Sequence, residues 1–251
     1  MQVIKVGGNE LDDPAFLAGL AQNVKQMQET TGETAVVVHG GGKAIADLQG
    51  RLGIMPQKVE GLRVTDAESL RVAEMVLSGL SNKLIVRALL AAGVTAVGLS
   101  GVDGGLLHCR KKQHPTADLG FVGEIVEVNV GLIQQLVGGG FTAVISPISL
   151  GPDGQAYNVN ADEAAAAVAQ ALGATMLNFV SNVPGVLQNR AILPHLTIAQ
   201  TEQLITDGVI TDGMIPKVRA ACTAVTQGIP QARIVNLDGL VGGGGTVIGE
   251  E

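Results

Sequence analysis

Tryptophan is missing from the chain, and there are one tyrosine and four phenylalanines in 251 residues. So few aromatics exclude the stacking platforms on which single-stranded nucleic acids are bound. Positive charge is scarce as well: the formal net charge is −7, and no basic run exceeds Arg110-Lys111-Lys112. General binding to a phosphate backbone is therefore not expected, and any phosphate handled here should be small and held locally. The two cysteines, Cys109 and Cys222, are far apart and belong to no paired motif. They offer no disulfide framework and suit a reducing cytoplasm. His39, His108, His114 and His195 show no HxxxH or mixed Cys/His spacing, so no zinc site is expected. The N-terminus has no basic segment followed by an apolar core, so secretion is not indicated. The longest uncharged stretch, Ala164 to Gly185, is broken by Gly173, Asn178 and Pro184, and reads as a helix followed by a buried strand. A cytoplasmic protein is expected.

Glycine is abundant, at 35 residues, and 46% of the chain is hydrophobic. That suits one large or two modest lobes with tight turns. Residues 2 to 6 read as a strand. Asp13-Pro14 then look like an N-cap and a first-turn proline before AFLAGLAQNVKQMQ. TAVVVHGGG is an apolar strand ending in glycines and leading into the helix KAIADLQGRLG. Two helical segments, DAESLRVAEMVLSGL and NKLIVRALLAAG, precede the strand TAVGLS. Repeated strand–glycine–helix units predict an α/β fold, a three-layer α/β/α sandwich around a mainly parallel open sheet. From LLHCRKK to FVGEIVEVN the texture changes to short β-rich pieces, as in an inserted β-hairpin. Beyond it α/β alternation resumes: VGLIQQLVGGG, FTAVISPI, then NVNADEAAAAVAQALG, where Asn160 and Glu163 have capping-box spacing. TMLNFVS, TIAQTEQLI, MIPKVRAACTAVTQG, ARIVNL and GTVI follow as strand, helix, helix and two closing strands.

Several strand ends converge on glycine, at Gly7-Gly8, Gly40-Gly41-Gly42 and Ser100-Gly101. In open α/β sheets such ends line the ligand crevice and let backbone N–H groups approach an anion. The usual phosphate signatures are absent. No GxxxxGK[ST] exists, because Val37 stands where its first glycine would be, and HGGGKAI does not satisfy GxGxxG. Lys5, inside VIKVGG, could face water from an alternating strand or face a ligand. Asp162 could be an ordinary helix-terminal acid. Lys217 follows Pro216 in a first helical turn, where a cation opposes the helix dipole, so an anion-binding role gives it a reason to be there. Arg63, in GLRVTD, could clamp a carboxylate or lie on the surface.

Taken together, KVGGN, VHGGGKAI, GLRVTDAESL, AVGLSGVDGG, NVNADEAA, SNVPGV and ITDGMIPKV resemble the amino acid kinase family in order and spacing. Within it they are most similar to members that phosphorylate N-acetyl-L-glutamate in arginine biosynthesis. The resemblance spans essentially the whole chain. It implies ATP-dependent transfer to the γ-carboxylate, giving N-acetylglutamyl 5-phosphate and ADP, with Mg²⁺ carried on the ATP phosphates rather than by protein metal ligands. It implies a lobe at 1–174 for the acyl amino acid and dimerisation, and a lobe at 175–251 for ATP, within one continuous fold. Lys5 and Lys217 would flank the transferring phosphoryl group, with Asp162 holding both ammonium groups. Gly8, Gly41 and Gly42 would line the phosphoryl path and the substrate's reacting end. Arg63 and Asn158 would bind the α-carboxylate and amide region. Ser181, Asn182, Val183, Pro184, Gly185 and Val186, with Val209, Ile210, Thr211, Asp212, Gly213 and Met214, would surround the nucleotide.

Two other readings stand beside this one. A relative acting on carrier-linked α-aminoadipate or glutamate, or on another N-acylglutamate, would share SNVPGV and SGVDGG, though an acidic carrier would call for more basic surface. A non-catalytic regulator on the same scaffold would have no need of Lys5, Asp162 and Lys217 together. Arginine-inhibited members of the family carry an extra helix before the first strand, which joins dimers into hexamers. Here the strand starts at Gln2 and the C-terminal segment lacks the acidic arginine-site pattern, so the resemblance implies an arginine-insensitive homodimer. Glu10, where family members carry small residues, is expected to point away from the phosphoryl path.

Overall fold

The structure, a computed structural model, describes residues 1–59 and 62–250, without the side chains of Lys58, Leu62, Arg63 and Asp212. The chain opens with strand β1 (Gln2–Val6), helix α1 (Pro14–Thr31), strand β2 (Val36–His39) and helix α2 (Gly42–Arg51). A short pair, β3 (Lys58–Val59) and β4 (Leu62–Arg63), precedes α3 (Ala67–Glu74), which continues through a π-helical segment, Met75–Ser81, into α4 (Asn82–Ala91). Then come β5 (Ala96–Ser100), β6 (Leu107–Lys111), β7 (Val122–Val128), α5 (Val130–Gly138), β8 (Thr142–Ser146), β9 (Ile148–Leu150) and β10 (Ala156–Val159). The rest comprises α6 (Ala161–Ala171), β11 (Met176–Val180), β12 (Leu187–Gln188), β13 (Ala191–Ile192), β14 (His195–Leu196), α7 (Ile198–Thr206), α8 (Ile215–Thr226), β15 (Gln231–Val235), α9 (Leu237–Gly242) and β16 (Thr246–Gly249).

Eight strands form the main sheet, in the order β14-β16-β15-β11-β1-β2-β8-β5. All neighbours run parallel except β15 and β16. The alternation of β1 decides what it offers each face: Val3 joins the core with α6 and α8, whereas Ile4 and Val6 join the core with α1, α4 and α9. Lys5 shares the parity of Val3 and so emerges on the α6 face. Helices thus cover both sides of a mainly parallel sheet, as predicted. The expected hairpin is β6–β7, antiparallel with a register shift at His108/Cys109. It belongs to a small closed barrel with β9 and β10, in the order β10-β7-β6-β9, which stands beside the carboxyl ends of the main strands.

Local chemistry sets several boundaries. Asp13 caps α1 by accepting from the Ala15 N–H at 2.8 Å, and Pro14 opens the helix. Asp66 caps α3 through the Ser69 N–H at 2.7 Å. Where two separate helical segments were expected, at 66–80 and 82–93, the π-helical turns join them without a break. Asn160 does cap α6, accepting from the Asp162 and Glu163 N–H groups at 2.8 and 3.2 Å. Glu163 does not complete a capping box, because its carboxylate pairs with Lys112 of the inserted region at 2.5 Å. The full reciprocal box is found instead at Thr197 and Gln200 of α7. Among the described residues no helix is long and apolar enough to cross a membrane.

Candidate active site

One cleft of about 630 Å³ opens at the carboxyl ends of β1, β2 and β11, under the small barrel. Lys5, near the end of the central strand β1, reaches it on the α6 face. There its ammonium meets the Asp162 carboxylate at 2.7 Å. Lys5 is 16% and Asp162 33% exposed, so neither is a solvated surface charge. The pair is a direct product of local sequence: the Asn160 cap starts α6, and position 162 falls in its first turn, where the helix dipole favours an anion. The water-facing alternative for Lys5 is thereby removed.

Gly8 faces the start of α2 at van der Waals limits. A Cβ on Gly8 would lie 2.5 Å from the Gly41 nitrogen and 2.7 Å from that of Gly42, so the two glycine turns meet backbone to backbone. Gly40 continues the β1–β2 ladder one step further, donating to the Val6 carbonyl at 3.0 Å. Gly41 is held from behind by the π-helical segment, where a Cβ would strike Leu77 at 2.7 Å and Ser81 at 3.0 Å. Such a junction of amides at a helix start can hold an anion.

Lys217 lines the same cleft from the first turn of α8, with Pro216 and Gly213 beside it. Among the described residues it makes no ion pair, so the expected hold of Asp162 on both ammonium groups is made here with Lys5 alone. Asn158, on β10, also lines the cleft, and its amide donates to Thr65 Oγ1 at 3.3 Å. The Arg63 side chain, like that of Asp212, lies outside the described residues. Ser181 and Asn182 line the cleft just beyond β11, and the Ser181 N–H donates to the Val235 carbonyl at 3.0 Å. Val183, Pro184 and Met214 are half-buried and Thr211 is exposed. Val186 and Ile210 are buried core side chains, so only their backbone is available to a ligand. Val209 is half-buried, and Gly185 sits against Thr246, whose hydroxyl accepts from the Val186 N–H at 2.8 Å.

Glu10 corrects an expectation. Its side chain does not point away: it lines the cleft, with a carboxylate oxygen 2.7 Å from where a Cβ on Gly7 would sit. The bend at Gly8-Asn9-Glu10 folds the chain back, and the bare Gly7 backbone leaves room for the carboxylate. Sequence reasoning also missed His39, fully buried behind the glycine loop. Burial, opposed by its bond to the Gly40 carbonyl and reinforced by the Lys83 charge, lowers its pKa to about 4. Its position directly before Gly40-Gly41-Gly42 was the available signal. No group of three or more His, Cys, Asp and Glu that could hold a metal occurs among the described residues.

This arrangement can neutralise and align a phosphoryl group: one paired lysine, one lysine with no ion partner among the described residues and a row of glycine amides face a single space. Residues 1–236 match the family described as amino acid kinase. The acetylglutamate kinase of Roseiflexus sp. (strain RS-1) is 52% identical over 248 residues, covering 99% of this chain and 93% of that protein. That of Methanopyrus kandleri is 42% identical, covering 99% and 100%. Among solved structures, the Streptococcus mutans UA159 protein smu.665 superposes with a TM-score of 0.82 at 30% identity, over 100% of this chain and 98% of that one. The motifs, the sheet with its small barrel and these likenesses agree, and the chain belongs to the amino acid kinase family.

Proposed function

We propose that this protein uses ATP to phosphorylate the γ-carboxylate of N-acetyl-L-glutamate, yielding N-acetylglutamyl 5-phosphate and ADP for arginine biosynthesis. The observation that carries the reading is the convergence of Lys5, Asp162 and Lys217 with the glycine turns on one cleft. Near-full-length relatives named acetylglutamate kinase support the free acetylated substrate over a carrier-linked one and over a non-catalytic regulator.

The chemistry follows from the groups present. The attacking carboxylate is ionised at neutral pH, so no general base is required. Its oxygen forms a bond to the γ-phosphorus as the bond to the ADP oxygen breaks, and no proton moves. The barrier lies in charge repulsion and alignment, which fixed cations and amides lower. In this reading Lys5, oriented by Asp162, and the Gly8, Gly41 and Gly42 amides serve the transferring group from one side. Lys217 serves it from the other. Arg63 and Asn158 hold the acyl amino acid, and Ser181 to Val186 with Val209 to Met214 hold the nucleotide. Mg²⁺ carried on the nucleotide's phosphates would supply further charge neutralisation there. The lobe boundary at 174/175 falls between α6 and β11, so acyl amino acid and ATP approach from sequence-distinct halves of one sheet.

Pairing of two copies is supported by Met75, Leu80 and Leu90, which are 56%, 53% and 53% exposed along the α3–α4 helical run. The buried free cysteines suit a reducing compartment such as the cytoplasm. The test is an ATP-dependent hydroxamate assay with N-acetylglutamate, N-succinylglutamate, glutamate and aspartate. Turnover should be highest by far with the first; preference for another acceptor, or nucleotide binding without turnover, would overturn the reading. Light scattering of the same sample should give a dimer mass, and a hexamer or inhibition by low arginine would refute the arginine-insensitive dimer.

A further inference from the structure

Behind the glycine loop lies a buried polar network that the chemistry above does not use. His39 and Asn82 are both fully buried, 43 positions apart in sequence. The Nδ1 atom of His39 lies 2.9 Å from the Gly40 carbonyl oxygen, and its Nε2 lies 3.2 Å from Asn82 Nδ2. The Asn82 amide cannot turn over. Its Oδ1 accepts from the Lys83 ammonium at 2.8 Å, and its Nδ2 faces the carbonyls of Val144 at 2.9 Å and Leu99 at 3.3 Å. Gly98 makes the room: a Cβ there would sit 1.9 Å from Asn82 Oδ1.

These contacts fix a tautomer twice over. A carbonyl only accepts, so Nδ1 must carry the hydrogen; an amide NH₂ only donates, so Nε2 facing it carries none, whichever two of its three acceptors the Asn82 hydrogens serve. A planar trans peptide points its C=O and N–H in opposite directions. Holding the Gly40 oxygen toward the imidazole therefore turns the Gly41 N–H away from it, to the side where Gly8 and the cleft lie. Two successive glycines would otherwise let that peptide unit rotate freely.

We infer that His39 and Asn82 are positioning residues: Asn82 selects the Nδ1–H form of His39, and that N–H clamps the Gly40–Gly41 peptide so that the Gly41 amide is aimed at the reacting group. The inference rests on the kinase reading for the role of that amide, whereas the tautomer itself is independent of activity. Correlation spectra of the nitrogen-labelled histidine rings at neutral pH, assigned by loss of one signal in His39→Asn, should show His39 protonated on Nδ1. An Nε2–H form would overturn the proposal whatever the activity. In Asn82→Ala the second tautomer should appear, and an unchanged ring would remove Asn82 from the proposal. For turnover, His39→Leu should lose about tenfold to a hundredfold in kcat with the KM values nearly unchanged. His39→Asn, whose side-chain N–H stands where Nδ1–H stood, should recover most of kcat despite leaving a larger void. Equal kcat in the two variants, or kcat that follows melting temperature, would reduce His39 to a packing residue. If the wild type turns over no acceptor, the kinase reading fails while the tautomer result still stands.

Discussion

The two walls of the cleft are built on different terms. On the β1–β2–α6 wall, Lys5 sits in the central strand, pinned between Val38 and Phe179 in register and tied to Asp162 at 2.7 Å. The turns at Gly8 and Gly41 touch backbone to backbone, with Leu77 and Ser81 behind them and His39 holding Gly40. On the opposite wall, Lys217 stands at a helix start with no ion pair among the described residues, and Asn182, Thr211 and Gly213 are exposed. A preorganised wall lowers the barrier without reorganisation at the moment of transfer, while an open wall lets a large nucleotide enter and leave. In the proposed reading, fixed geometry is concentrated where the acyl acceptor and the transferred group would meet.

Removing the charges tests that division most severely. Lys217→Ala and Asp162→Ala should each lower kcat by about 100- to 1,000-fold, roughly 3 to 4 kcal/mol. Their stabilities should differ. Lys217 has no described ion partner to lose, so its variant should melt with the wild type. Asp162→Ala strands the Lys5 ammonium in a mostly buried position and should lose about 1 to 2 kcal/mol. Near-normal turnover in either variant would remove its role, and equal melting temperatures for both would erase the contrast between the walls.

Acid should separate the walls next. His39, buried and neutral, has its pKa depressed to about 4 against an unfolded value near 6.5. Between those values the unfolded chain binds a proton that the folded chain refuses. Stability is therefore complete above about pH 6.5 and falls as pH drops toward 4, by about 3 kcal/mol for this one group. Denaturant titrations across that window should show the loss in the wild type and a flatter profile in His39→Asn. Matching slopes would mean that the ring is protonated in place.

What could be read from the sequence was local. Strand–glycine–helix units, the Asp13 and Asn160 caps and the motifs around Lys5, Asp162 and Lys217 are short patterns, and the fold keeps each of them. What escaped depends on partners distant in the chain. The π-helical join at Met75–Ser81 sets Leu77 and Ser81 against Gly41, a contact across more than thirty residues of chain that MVLSGLS does not announce. Glu163 has the spacing of a capping box, yet Lys112, 51 residues away, takes its carboxylate. His39 meets Asn82 only once β2 and α4 are packed together. Glu10 turns inward because Gly7 leaves space that no residue pattern advertises.

The smallest effect comes from adding a single methyl group to a glycine on each wall. At Gly8 the new Cβ would fall 2.5 to 2.7 Å from backbone atoms of Gly41 and Gly42, which cannot rotate aside as a side chain would. One turn must shift, and overpacking of this kind costs about 1 to 3 kcal/mol. At Gly213 nothing among the described residues lies within 4 Å of the added atom and φ is not in the left-handed region, so the backbone accepts alanine. Gly8→Ala should lower both melting temperature and kcat, because the shift moves the Gly41 amide. Gly213→Ala should keep its melting temperature, and any change should fall on the KM for ATP. A stable, active Gly8→Ala enzyme would show that the glycine wall tolerates displacement. The case for a preorganised wall would then rest on the Lys5–Asp162 pair alone.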